Sequence, residues 1–124
     1  MVSMDNLLVG RRILIVEDEI LILLMIEDML GDLGCTSITA ATKNEQAISL
    51  IDVHFYDAAL LDMNLNGKNS SDVAEALARR HVPFAYATGN NIRDENNGIG
   101  NRPTLRKPFG DRALVKVLRE LLKI

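Results

Sequence analysis

An α/β domain built on a parallel sheet is predicted for this chain by three observations. Short strand-like runs alternate with longer segments of helical apolar spacing. The first run, Ile13–Val16, is continuously aliphatic, so both of its faces are expected to be covered. The 124 residues, 48% hydrophobic and 25% charged, suit one domain with a sizeable core and no need of staples.

Ile13-Leu14-Ile15-Val16 reads as the first strand. Residues Glu19–Leu33 follow with apolar residues at Ile22, Met25, Ile26, Met29, Leu30 and Leu33, a helical stripe that Gly34 ends. Ser37–Ala41 is the second strand. Thr42-Lys43-Asn44-Glu45 has the form of a capping box and opens a helix that runs to about Val53. Ala58–Leu61 is the third strand. Asp72–Arg80 is a helix with Ser71 as its cap. Phe84–Thr88 and the short Thr104–Arg106 are the fourth and fifth strands. Asp111–Ile124 closes as a helix with Leu114, Val117, Leu118, Leu121 and Ile124 on one face. Residues 1–11 read as an N-terminal extension and 12–124 as the domain, with no output domain after it.

The stretch Gly89–Pro103, "GNNIRDENNGIGNRP", should hold a fourth helix in such an alternation. It is rich in Asn and Gly and offers Ile92 and Ile99 as its clear apolar anchors. Both residue types are poor helix formers, and two anchors offset little ordering entropy. A short, frayed or disordered helix is predicted there.

Five strands of this length fit the flavodoxin-like order 2-1-3-4-5 in a three-layer α/β/α sandwich. Strands 1 and 3 are then neighbours at the topological switch point, where ligands bind outside the carboxyl ends of the strands. Glu17 and Asp18 follow strand 1, and Asp62 follows strand 3. Three carboxylates converge on one edge, and two charges about 4 Å apart repel by roughly 1 to 4 kcal/mol in aqueous to surface-like surroundings. A divalent cation could offset that: carboxylate oxygens without His or Cys favour Mg²⁺ or Mn²⁺. So could Lys107, just after strand 5. Thr88, ahead of a glycine at the end of strand 4, could bind a phosphoryl oxygen, and Asp62 could be the nucleophile that forms an aspartyl phosphate. Each residue alone has an ordinary reading: a first-turn acidic pair at a helix N-terminus, a strand-end threonine, a solvated lysine. His54 and His81 read as surface or capping residues.

Net charge of −3 and a pI near 5.3 argue against non-specific nucleic-acid binding. The single Cys35 fits a reducing compartment. The longest apolar run, Ile20–Ile26, cannot span a bilayer, and residues 1–10 lack the pattern of a secretory leader. A cytoplasmic protein is expected.

The segments "ILIVEDE", "ALLDMNLNG", "YATGN" and "LRKPF", in order and each at a strand end, resemble the signature segments of response-regulator receiver domains of two-component signalling. The resemblance runs from about Arg12 to Ile124. It implies that Asp62 is the phosphoacceptor, that Glu17, Asp18, Asp62 and the backbone carbonyl of Asn64 hold Mg²⁺, with Mn²⁺ able to substitute, and that Thr88 and Lys107 read the phosphorylated state. A cis Lys107–Pro108 bond is implied as well. Two departures stand out. Thr104 occupies the position of the usual aromatic switch, for which Tyr86 is a possible substitute although a core role suits it better, and the fourth helix is weak. With "PFAYATG", they resemble a subset of single-domain receivers associated with HWE-type sensor histidine kinases.

Ile20, Leu21, Leu23 and Leu24 are apolar beyond what the helical stripe requires. Together with Pro108 they suggest a docking surface beside the acids, to be met in receivers by a sensor histidine kinase or phosphotransfer protein. The expected function is a stand-alone receiver, monomeric or weakly dimeric, that signals by docking or drains phosphate, with slow autophosphatase activity and no other catalysis. An interaction module that is never phosphorylated is one alternative. A Mg²⁺-dependent aspartyl-phosphate hydrolase is another, disfavoured because Asn64 stands where a proton donor is needed.

Overall fold

The computed structural model describes residues 4–65, 67–89 and 102–124. Their elements, in chain order, are a 3-10 turn Met4–Asn6, β1 (Arg12–Val16), α1 (Ile20–Asp32), β2 (Ser37–Ala41), α2 (Asn44–Val53), β3 (Ala58–Asp62), β4 (Asn64–Leu65), β5 (Lys68–Asn69), α3 (Ser71–Arg79), β6 (Phe84–Thr88), β7 (Thr104–Arg106) and α4 (Asp111–Leu122). The main sheet has the order β2-β1-β3-β6-β7, and every pairing in it is parallel. Counting its five strands in sequence, this is the expected 2-1-3-4-5. The weak helix predicted within Asn90–Asn101 lies outside the described residues.

Alternation along the strands divides the core. Ile13, Ile15, Leu60, Ala85 and Leu105 face α1 and α4, meeting Ile26, Leu30, Leu114 and Leu118. Leu14, Val16, Leu61, Phe84 and Tyr86 face α2 and α3, meeting Ile51, Val73 and Leu77. Successive strand residues point to opposite faces, so a continuous aliphatic run supplies both layers at once. Tyr86 is buried among the second group, its ring edge-on to Phe84 at 5.5 Å.

Several boundaries differ from those expected. The N-cap of α2 is Lys43, not Thr42; the backbone N–H of Thr42 donates to Gln46 Oε1 at 3.0 Å, so Gln46 rather than Glu45 reaches back. Ser70 holds the N-cap position of α3 without a side-chain capping bond, and Ser71 is the first residue of the helix. Helix ends shift by a residue or two with tertiary geometry. The antiparallel hairpin β4–β5 was not anticipated, since "NLNGKN" reads as turn chemistry alone. His54 and His81 are both exposed.

The N-terminal extension is part of the same core. Leu7 and Leu8 are buried with Leu33 and Cys35, and the Leu8 N–H donates to the Leu33 carbonyl at 2.9 Å. Gly34 makes this possible. The Cys35 N–H bonds to the Leu30 carbonyl and the Gly34 N–H to the Gly31 carbonyl, a Schellman end for α1. Gly34 has φ of +90°, and a Cβ there would stand 2.5 Å from the Asp5 carbonyl oxygen. Gly34→Ala is therefore expected to destabilise the domain by about 1–3 kcal/mol, read as a lower urea midpoint; an unchanged midpoint would mean that the N-terminal segment contributes little.

Candidate functional site

Sheet register assembles the site one step at a time. Val16 pairs with Leu61, so Glu17 and Asp62, each one residue further along, emerge side by side. Asp62 pairs with Ala87, which places Thr88 next along the same edge. Thr88 pairs with Arg106, and the Lys107 N–H donates to the Thr88 carbonyl at 2.8 Å. Lys107–Pro108 is cis.

Lys107 Nζ lies 2.7 Å from Glu17 Oε1 and 3.2 Å from Asp62 Oδ2. Glu17 and Asp62 are buried, Glu17 almost completely. The Glu19 N–H donates to Glu17 Oε2 at 3.1 Å, and the Asn64 N–H to Asp62 Oδ1 at 3.2 Å. One ammonium thus serves two carboxylates. Burial and the neighbouring Glu17 carboxylate push the Asp62 carboxyl up to about 7, against the opposing pull of Lys107 and the Asn64 N–H. Burial alone would lower Lys107, but Glu17 and Asp62 outweigh it and hold its ammonium above the usual lysine range.

Carboxylate oxygens of Glu17, Asp18 and Asp62 lie within 4.8 Å of one another. Octahedral Mg²⁺ with ligands at 2.0–2.1 Å needs oxygens about 3 to 4 Å apart. The three acids are near that spacing and supply hard oxygen donors only. The cluster therefore fits such an ion. Charge balance agrees, because the single Lys107 ammonium is shared by two of these carboxylates, Glu17 and Asp62.

Asp18 and Asp62 line a cleft of about 460 Å³. Its polar lining includes Asn64, Thr88 and Lys107 as well. Its apolar lining is Ile22, Met25 and Pro108. Periodicity assigned Ile22 and Met25 to the core stripe of α1; both are only half-buried. Leu23, counted by the sequence in the exposed set, is instead buried in the core. The run Ile20–Ile26 is apolar all round, so spacing alone could not choose its inward face. Ile20, Leu21 and Leu24 are exposed, Leu21 by 82%, and Pro108 is exposed as well.

The sequence model of the response regulator receiver domain matches residues 13–119. The chain belongs to that family. Among curated proteins, it is 32% identical over 117 residues to the transcriptional regulatory protein CpxR of Escherichia coli (strain K12), covering 91% of this chain and 50% of that one. It is 28% identical over 114 residues to PdtaR of Mycobacterium tuberculosis, covering 89% of this chain and 56% of that protein. The chain spans about half the length of these relatives. Among solved receivers, SdrG from Sphingomonas melonis Fr1 superposes with a TM-score of 0.81 at 42% identity, over 90% of this chain and 96% of that one. The receiver domain of a sensor histidine kinase from Pseudomonas aeruginosa PAO1, solved with a magnesium ion in its active-site cleft, gives a TM-score of 0.82 at 28% identity, over 93% and 99%. Receiver domains act in two-component signalling, and this one carries the acidic cluster suited to Mg²⁺. No helix among the described residues is long and apolar enough to cross a membrane.

Proposed function

We propose that this receiver domain accepts a phosphoryl group on Asp62 from a phosphohistidine of a sensor histidine kinase or phosphotransfer protein. The observation that carries the reading is the Lys107 ammonium held between Glu17 and Asp62 on the floor of a cleft that Thr88 also lines. In the transfer an Asp62 carboxylate oxygen bonds to phosphorus as the phosphorus–nitrogen bond breaks, and the electron pair goes to the imidazole nitrogen. Lys107 and the Thr88 hydroxyl then hold phosphoryl oxygens, so the domain contributes positioning and charge neutralisation. Glu17, Asp18, Asp62 and the Asn64 carbonyl are the residues that would hold Mg²⁺ or Mn²⁺, which when bound neutralises charge on the transferring group. The exposed Ile20, Leu21 and Leu24, with Pro108 at the rim, form the docking face for the kinase; Leu23 takes no part. The segment Phe84–Gly89 supports an HWE-type kinase as the donor. The acyl phosphate hydrolyses slowly, which is the extent of the catalysis.

The test is phosphorylation by acetyl phosphate with and without Mg²⁺, read by intact mass. One phosphoryl group per chain is expected, dependent on Mg²⁺ and absent in Asp62→Asn, and Asp18→Ala should require more Mg²⁺ for the same yield. An unmodified mass would point to an interaction module. Steady phosphate release from ester substrates would point to a hydrolase, against which Asn64 argues, since its amide cannot protonate a leaving group.

A further inference from the structure

The main sheet ends in two edge strands, β2 and β7, and the sequence treats them differently. An edge strand offers unpaired N–H and C=O groups to any other strand, and charges, prolines or bulges usually guard it. β7 carries Arg106, and Pro103 and an exposed Arg102 come just before it. β2 has no such guard. From Cys35 to Thr42 the sequence reads "CTSITAAT", without a charge or a proline. Its register with β1 runs unbroken from Ser37 to Ala41, without a bulge. Ser37, Ile38, Thr39 and Ala40 are all half-exposed. The Ala41 carbonyl accepts from the Glu17 N–H at 2.9 Å, so Ala41 turns its backbone groups toward β1, and Thr39 and Ser37, at steps of two, do the same. Ile38 and Ala40 therefore turn theirs outward, where no strand among the described residues meets them. Their side chains pack, partly buried, on the α1 face. Ala41 packs on the α2 face, and Thr39 shares that face by alternation.

We propose that the β2 edge pairs with a second copy of this chain, antiparallel across a two-fold axis at Thr39, joining two five-stranded sheets into one. A two-fold contact must be self-complementary, and this edge is. The N–H and C=O of Ile38 meet the C=O and N–H of Ala40 in the second copy, and the same exchange recurs on the other side of the axis. Isoleucine then lies across from alanine, large against small, and gains apolar burial. The two Thr39 residues stand opposite each other as a non-hydrogen-bonded pair. Charge favours the antiparallel sense. Asp32 lies before β2 and Lys43 after it, and both are exposed. Each end of the pairing therefore brings Asp32 of one copy toward Lys43 of the other, whereas a parallel copy would set like charges side by side. The contact is independent of the reading of Asp62, since β1 separates β2 from β3.

Because pairing of such short strands is a small contact of the weak, transient class, sedimentation equilibrium is run across roughly 10 µM to 1 mM protein. The mass should rise from one chain, 13.7 kDa, toward two. Ala40→Pro removes an N–H that bonds only across the axis, a place where an edge strand tolerates proline. Thr39→Lys sets two ammonium groups together on the axis. Each should raise the concentration at half-association by about tenfold or more, with the far-UV circular dichroism of the wild type retained. Cross-linking reads the register. In a Cys35→Ala background, Thr39→Cys places thiols on Cα atoms about 4.5 Å apart, within disulfide reach. Oxidised glutathione should then give a linked dimer, two thiols forming one disulfide and the two electrons leaving on two reduced glutathiones. Ser37→Cys, on the same face, would lie opposite Ala41 of the second copy and should give no linked dimer. Should either sedimentation variant lose its fold, the cross-linking pair decides. A mass fixed at one chain throughout overturns the proposal and leaves the edge to a strand of another protein. So does an association that Ala40→Pro and Thr39→Lys both leave unchanged, or Ser37→Cys cross-linking as readily as Thr39→Cys.

Discussion

Lys107→Ala is expected to destabilise the metal-free domain by about 3 kcal/mol at mildly alkaline pH, at the lower end of what breaking a buried ion pair costs. Lys107 Nζ touches both Glu17 and Asp62, and its removal leaves two neighbouring carboxylates with no cation between them. The loss depends on pH. The Asp62 carboxyl of the folded protein already sits at about 7 against an ordinary 3.8. Between those values the folded state holds a proton that the unfolded chain has released, so stability falls as pH rises toward 7. Without Lys107 the folded-state value rises further and the fall continues to higher pH. Wild type and variant should therefore differ least on the acid side, where Asp62 is protonated in both, and most above neutrality. Denaturant midpoints across pH, in buffer freed of divalent ions, measure this. A constant difference at all pH values would mean that lysine packing, not charge, was lost. Added Mg²⁺ should restore part of the deficit in the variant by binding the folded state alone.

Asp62→Asn should have the opposite sign. The shift from 3.8 to about 7 already includes the opposing pull of Lys107. At ~1.4 kcal/mol per unit, a gain of a few kcal/mol is expected for the metal-free domain above neutral pH. The gain should vanish on acidification, where wild-type Asp62 carries no charge. Mg²⁺ should then narrow the gap by stabilising wild type more than the variant. A variant less stable than wild type at every pH would show that Asp62 is held favourably and that the acid cluster is not strained in the absence of a cation. Together the two substitutions test a site whose negative charges conflict until a cation arrives, as expected where function rather than stability sets the residues.

Much of this was legible in local sequence. The strands Ile13–Val16 and Phe84–Thr88 were readable because continuous aliphatic or aromatic runs between turn signals have few other solutions. The acids after Val16 and Leu61 were readable as a cluster because parallel strands in the order 2-1-3-4-5 present their carboxyl ends on one edge. Other features were not legible. In Thr42–Asn44 and Ser70–Ser71, adjacent residues compete for one cap, and the sheet decides between them. Leu7 and Leu8 look like part of a short N-terminal extension until Gly34 turns the chain and brings Leu33 onto them. Leu23 and Ile22 exchange the roles that spacing suggested, because an all-apolar helix start carries no record of which face meets the sheet.

The sequence by itself determined the order of elements, the acidic residues at the strand ends, and the absence of an acid at Asn64, since each depends on residue type and near neighbours. Tertiary structure alone decided that Lys107 would lie between Glu17 and Asp62, and that Ile22 and Met25 would line the cleft. Those facts depend on strand register and helix rotation, which are set by summed packing between segments far apart in the chain and are written in no single stretch of it.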